Sequence, residues 1–171
     1  ASLINQGTIS VETAGQNLWV RGTDWRNEGL LRATAGTLRL EGSITVGGLG
    51  DFEANGGVVR LEGILNNQGH TILLDGPSQI LTLGSGTIVG GTLQGMNGAE
   101  LRANTNTPSV ESVLSGVTLG ANLRIFSGNE VQSINGLTLA DGAVISVEQG
   151  GGSATLEFSG TQTFGGSGAV V

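Results

Sequence analysis

The chain has 171 residues, 37% of them hydrophobic, 12% charged and 4% aromatic, with a formal net charge of −7. An acidic chain whose only strong base is Arg disfavours partners that need a basic surface, so neither nucleic acid nor an anionic lipid surface is expected as a partner. Cys is absent, which removes thiol catalysis and Cys-based metal sites, and no apolar run reaches the ~18 residues of a membrane-spanning helix.

Gly is the compositional outlier, at 32 residues, well above the usual ~7%. It lies scattered between short runs of Val, Ile, Leu and Thr, and Pro occurs only twice. Such a mix reads as many short strands joined by tight turns. No stretch keeps apolar residues at helical spacing without an intervening Gly, so almost no helix is expected.

Taken in chain order, the strands carry a repeat of 20 to 22 residues. Asn5-Gln6-Gly7 is echoed by Asn27-Glu28-Gly29 and again by Asn67-Gln68-Gly69, while Thr13-Ala14-Gly15 returns as Thr34-Ala35-Gly36. Arg39-Leu40-Glu41-Gly42 returns 21 positions later as Arg60-Leu61-Glu62-Gly63. With these in line, Ile9, Leu31 and Phe52 share one column. Leu18, Leu38, Val59 and Leu81 share a second, and Val20, Leu40, Leu61 and Leu83 a third. Between the last two sit Trp19, Arg39, Arg60 and Thr82. Side chains alternate across a strand, so the aliphatic columns point one way and this row the other.

The segment from Asn104 to Ser115 holds Pro108 and little alternation, and reads as a longer turn or protruding loop. Beyond it the register resumes. Val117-Thr118-Leu119 is answered by Leu137-Thr138-Leu139, Leu123-Arg124-Ile125 by Ile145-Ser146-Val147, and Leu156-Glu157-Phe158 is a further in-out-in strand. The columns predict an all-β fold, a right-handed parallel β-helix of about eight coils spaced ~4.8 Å apart. An antiparallel sandwich also shows short strands, but it does not by itself align columns at one shared offset. Residues 1–171 are read as a single β-helix domain. The start at Ala1 without Met and the turn-rich end at Gly165-Gly166-Ser167-Gly168 suggest a piece of a longer repeat protein.

Asn55-Gly56, Asn97-Gly98 and Asn135-Gly136 are turn pairs that favour positive φ. Asn5 and Asn27 are candidates for a hydrogen-bonded amide ladder between coils, with Asn67 rejoining the column further on. Isolated hairpin turns are the alternative reading of Asn-Gly.

The phrases Leu3-Ile4-Asn5-Gln6-Gly7-Thr8-Ile9, Gly36-Thr37-Leu38-Arg39-Leu40 and Gly160-Thr161-Gln162-Thr163-Phe164-Gly165-Gly166-Ser167-Gly168 resemble the repeats of large bacterial secreted and surface proteins. Those are adhesin-like, autotransporter-passenger-like and filamentous-haemagglutinin-like chains. The resemblance covers most of the chain through degenerate motifs. It implies a β-helical stalk exported to the cell exterior and carries over no catalytic residue.

Candidate chemistry is sparse. His70 is the single His and is read as an exposed turn residue; neighbouring Asp75 and Ser78 show no nucleophile elbow around it. The four Asp residues are scattered. The best cluster is Trp19, Arg39, Arg60, Glu41 and Glu62, expected on one outer face. Its bland reading is surface charge; its sharp reading is a groove that binds or cleaves polysaccharide. Trp19 could stack on a sugar or on the Arg39 guanidinium, Trp25 is ambiguous in the same way, and Arg32 and Glu53 are expected as a cross-coil ion pair. The expected function is structural: a stalk or display segment, secreted or at the cell surface, with no catalysis, cofactor or metal. Its partners would be neighbouring β-helix coils, a second copy through open ends, or extracellular glycans.

Overall fold

The computed structural model describes residues 1–105, 111–148 and 152–171. It is an all-β parallel solenoid of about seven turns, with no helix among the described residues. One stack of strands runs the length of the molecule. It comprises Asn17–Asn27, Thr37–Ile44, Val58–Leu61, Ile80–Leu83, Glu100–Ala103, Asn122–Ile125, Val144–Val147 and Ala169–Val170, each parallel to the next. These rungs make about seven turns, against the about eight coils expected from the repeat length. The register joins Leu18, Leu38, Val59, Leu81, Leu101, Leu123, Ile145 and Val170 into one column. Val20, Leu40, Leu61 and Leu83 form the column beside it, as the repeat predicts.

Two further stacks complete each turn. Trp25, Ile44, Leu65, Ile88 and Leu114 are register partners on the second, followed by Ser133 and Phe158. On the third, Ile72, Leu93, Leu119 and Leu139 stack in register. At the N-terminal end Thr8–Val11, Leu30–Ala33 and Asp51–Ala54 form a separate three-stranded sheet that aligns Ile9, Leu31 and Phe52. The inward residues of all stacks make one apolar core. Leu38, Leu40, Leu61, Leu65, Leu81 and Leu83 have no exposed surface at all.

The repeated Gly residues mark places where successive coils touch backbone to backbone. Gly22, Gly42 and Gly63 lie over one another at a corner. A Cβ on Gly42 would come 2.0 Å from the Gly22 carbonyl oxygen, and one on Gly63 would come 2.3 Å from that of Gly42. Gly42 also holds a φ of +80°, which side chains rarely adopt. Hence the fourth letter of Arg-Leu-Glu-Gly admits no substitute.

The amide ladder is real but short. Asn5 Nδ2 donates to Asn27 Oδ1 at 2.6 Å, and both side chains are buried. Asn27 Nδ2 then donates to the Leu49 and Asp51 carbonyls, at 3.1 and 2.9 Å, which carries the network to the next coil without a third amide. Asn67 stands two turns beyond and donates instead to the His70 and Thr92 carbonyls. It is therefore not a rung of the same ladder. Of the Asn-Gly turns, Asn97 and Asn135 take positive φ, as do Gly56, Gly98 and Gly136.

One expectation is corrected and one open reading is resolved. Glu111–Gly120 is a continuous strand that pairs with both its neighbours, so the loop expected over Asn104 to Ser115 does not extend past residue 110; residues 106–110 lie outside the described part. Trp25 is fully buried, with its Nε1–H donating to the Glu41 carbonyl at 2.9 Å, so it belongs to the core. A register shift between Gly22 and Trp25 turns it inward.

Leu40→Asp should unfold the chain, because it buries an unpaired charge within the stack. Leu61→Ala should cost about 2–5 kcal/mol. Arg21→Ser, at a side chain 65% exposed, should shift stability by less than about 1 kcal/mol. Urea unfolding followed by circular dichroism checks all three, and equal losses at Leu61 and Arg21 would contradict the in-out assignment.

Candidate functional site

The outward row of the long stack begins at Trp19 and continues through Arg39, Arg60, Thr82, Arg102, Arg124 and Ser146. Arg39, Arg60, Thr82, Arg102 and Arg124 each lie between two buried apolar residues, so the strand pleat alone turns them outward. Stacking at the inter-strand spacing of ~4.8 Å would set like charges against each other. Carboxylates from the flanking columns separate them. Arg39 pairs with Glu62 of the next coil and donates from Nε to Asn17 Oδ1 at 2.9 Å. Arg21 Nε meets Glu41 at 2.5 Å. Arg102 pairs with Glu100, and Arg124 reaches Glu100 at 3.6 Å and Glu148 at 2.9 Å.

The structure therefore brings Trp19, Arg39, Arg60, Glu41 and Glu62 side by side along this stack. Trp19 is 46% exposed, and the guanidinium carbons of Arg21 and Arg39 lie 5.7 and 5.6 Å from its ring centroid. The anticipated cation–π contact with Arg39 is present, and Arg21 adds a second.

Arg60 departs from the expectation of an exposed outer position. Only 5% of it is accessible, because its aliphatic stem lies flat over Gly84, where a Cβ would come 2.6 Å from Arg60 Cδ. Burial holds its pKa below the ordinary Arg value, the like charge of Arg39 adds to that, and Glu62 opposes it. Arg32 and Glu53 are register partners, but Arg32 forms its ion pair with Glu12, at 3.4 Å, instead of with Glu53. His70 is exposed in its turn, as anticipated. A groove of about 250 Å³ opens beside the row, lined by Gly57, Val58, Ile80, Thr82 and Arg102 among others.

Sequence reasoning placed Trp19, Arg39, Arg60 and Thr82 in this row but did not join Arg102, Arg124 and Ser146 to it. Arg102 and Arg124 sit in the triplets Leu101-Arg102-Ala103 and Leu123-Arg124-Ile125, the same in-out-in form as Leu38-Arg39-Leu40, so the signal was present. It also missed a carboxylate group on the second stack. Glu111, Glu130 and Glu157 each place an oxygen within 4.8 Å of the others. Three such oxygens fall short of the six to eight that a calcium ion takes. Hydrogen bonding to the Glu157 carboxyl is the largest influence raising the Glu130 pKa, followed by burial and by the charges of Glu111 and Glu157. Glu157 is lowered, first by the Ser159 hydroxyl, which donates to it at 2.7 Å, and then by Glu130.

As a class, the molecule is a parallel β-solenoid with a salt-bridged outer row. Comparison with known proteins found no matching family model, no matching curated protein and no matching solved structure.

The carboxyl pair generates a pH prediction. A raised Glu130 stabilises the fold while protonated; that contribution is complete below the ordinary Glu value of 4.5 and is lost as pH rises through the raised value. Glu157 acts oppositely, contributing above its ordinary value and losing the contribution as pH falls through the lowered one. Glu130→Gln removes the repelling charge but keeps a hydrogen-bonding group. It should melt higher than the parent chain at neutral pH, with the gap closing below pH 4.5. A lower melting temperature for the variant at neutral pH would contradict the assignment.

Proposed function

We propose that this chain is a stalk or display segment of a secreted or cell-surface bacterial protein, adhesin-like in kind, wound right-handed and without catalysis of its own. The observation that carries this reading is the state of the two ends of the stack. At one end Leu3 and Ile4 are exposed; at the other Phe158, Phe164, Val170 and Val171 are. Among the described residues, the strands at each end pair with a coil on one side only. An open strand edge of this kind can template pairing with a second copy of the chain. The right-handed sense follows the strong preference of parallel strand crossovers. The repeat phrases quoted above support the extracellular setting by resemblance.

The outer row supports the same reading. Its Arg and Glu side chains are mostly engaged with one another, an arrangement that keeps a stacked surface neutral along its length.

Static light scattering on a dilution series tests the proposal. End-to-end association that grows with concentration is expected, and a strictly monomeric chain at every concentration would overturn the role of the open edges. A second reading, an extracellular glycan ligand, is favoured by one observation. Trp19 offers a half-exposed ring beside two guanidinium groups, a surface on which a sugar can stack. Binding on a glycan array that is lost in Trp19→Ala would favour this second reading.

A further inference from the structure

Three Asn-Gly pairs are used by neither the core nor the charged row: Asn55-Gly56, Asn97-Gly98 and Asn135-Gly136. All three Asn side chains are exposed. An Asn amide is chemically labile when the next peptide nitrogen can reach it. That nitrogen attacks Cγ and forms a new N–Cγ bond. The Cγ–Nδ2 bond breaks, and Nδ2 leaves as ammonia with the proton that the peptide nitrogen gave up. Water then opens the cyclic imide at either carbonyl, giving Asp or isoaspartate. No oxidant or reductant is needed. Gly after Asn favours the attack because no Cβ shields the nitrogen. A peptide N–H already held in a hydrogen bond must first release its partner.

On that criterion the three sites differ. Gly136 N–H donates to Gln162 Oε1 at 3.1 Å, and Asn135 Nδ2 donates to Ser115 Oγ at 3.0 Å. Gln162 is itself fixed. Its Nε2 donates to the Ser133 and Ser159 carbonyls at 2.7 and 2.9 Å, and its Oε1 also accepts from the Ser133 hydroxyl at 2.8 Å. Among the described residues, no hydrogen bond engages the N–H of Gly56 or Gly98. The Asn97 amide donates to Asp75 Oδ1 at 2.6 Å and does not engage the Gly98 nitrogen.

We propose that Asn55 and Asn97 are sites of spontaneous covalent modification in the folded chain, deamidating to Asp or isoaspartate, and that Gln162 shields Asn135 from the same reaction. At Asn97 the product is consequential. A carboxylate replaces the amide donor that faces Asp75, so an attractive contact between the strands Thr71–Asp75 and Thr92–Met96 becomes a repulsive one. Isoaspartate also lengthens the backbone by one methylene at a corner whose coil register is set residue by residue. The inference is independent of the proposed function and concerns the chain's own chemistry.

Incubation of the full chain at mildly alkaline pH, with peptide mapping by mass spectrometry at intervals, tests it. Asn55 and Asn97 should convert first, and Asn135 about five- to tenfold more slowly than Asn55. In denaturant the three rates should converge. Gln162→Ala should bring Asn135 up toward the rate of Asn55 while leaving Asn97 unchanged, a control that confines the effect to the Gln162 contact. Asn135 converting as fast as Asn55 in the folded parent chain would overturn the shielding. Persistent protection of Asn135 in Gln162→Ala would overturn it as well. Intact Asn55 and Asn97 in a folded chain whose denatured form converts would overturn the modification sites themselves.

Discussion

Strand pairing between successive coils is the constraint on which everything else rests. Each turn satisfies its strand N–H and C=O groups against the turns before and after it, as in the unbroken pairing that carries Leu18 to Val170. A residue is therefore always stacked on its own equivalents at the spacing of neighbouring strands. Side chains that tolerate their own kind at that distance can repeat without compensation; the rest need a device. Leu and Val repeat freely inside. Gly repeats at Gly22, Gly42 and Gly63 because nothing larger fits between two backbones. Asn5 and Asn27 repeat because an amide both donates and accepts.

Charges cannot repeat on those terms. The Arg row is made compatible by carboxylates that arrive from neighbouring columns, with Glu62 and Glu100 each serving an Arg one coil away. Arg60 shows a second solution: its stem covers the bare backbone of Gly84 and its charge is partly withdrawn from water. Glu111, Glu130 and Glu157 show a third, in which the raised pKa of Glu130 eases the crowding of like charge. The sheet thus sets the electrostatic problem, and side chains from adjacent columns solve it case by case.

The same constraint decides what could be read in advance. Column membership was legible wherever the offset stayed at 20 to 22 residues, as for Leu38 with Val59 and for Leu123 with Ile145, because burial enforces period-two alternation. It failed where the chain slips. The shift between Gly22 and Trp25 carried Trp25 into the core. Glu111 and Glu130 are 19 residues apart and direct partners, whereas Glu157 pairs with Gln132, so the three carboxylates meet across a diagonal that no fixed offset reveals. The burial of Arg60 depends on Gly84, a residue with no side chain to signal it. Arg102 and Arg124 were legible in principle, since they occupy the same in-out-in triplet as Arg39. Ion-pair partners were the least legible, as the choice of Glu12 over Glu53 by Arg32 illustrates. Long side chains reach over a radius in which several carboxylates compete.

The most direct measurement of coil stacking uses the absence of native Cys. Ser43 and Ile64 are register partners on adjacent turns, and Ile64 is half exposed. At inter-strand spacing, Cys at both positions meets the distance requirement of a disulfide. The double variant Ser43→Cys with Ile64→Cys should oxidise to an intramolecular disulfide and keep its circular dichroism spectrum. A control with Ser43→Cys and Leu73→Cys, whose second site lies on a different strand stack, should stay reduced. Failure of the first pair to close, or closure of the control instead, would contradict the stacked winding.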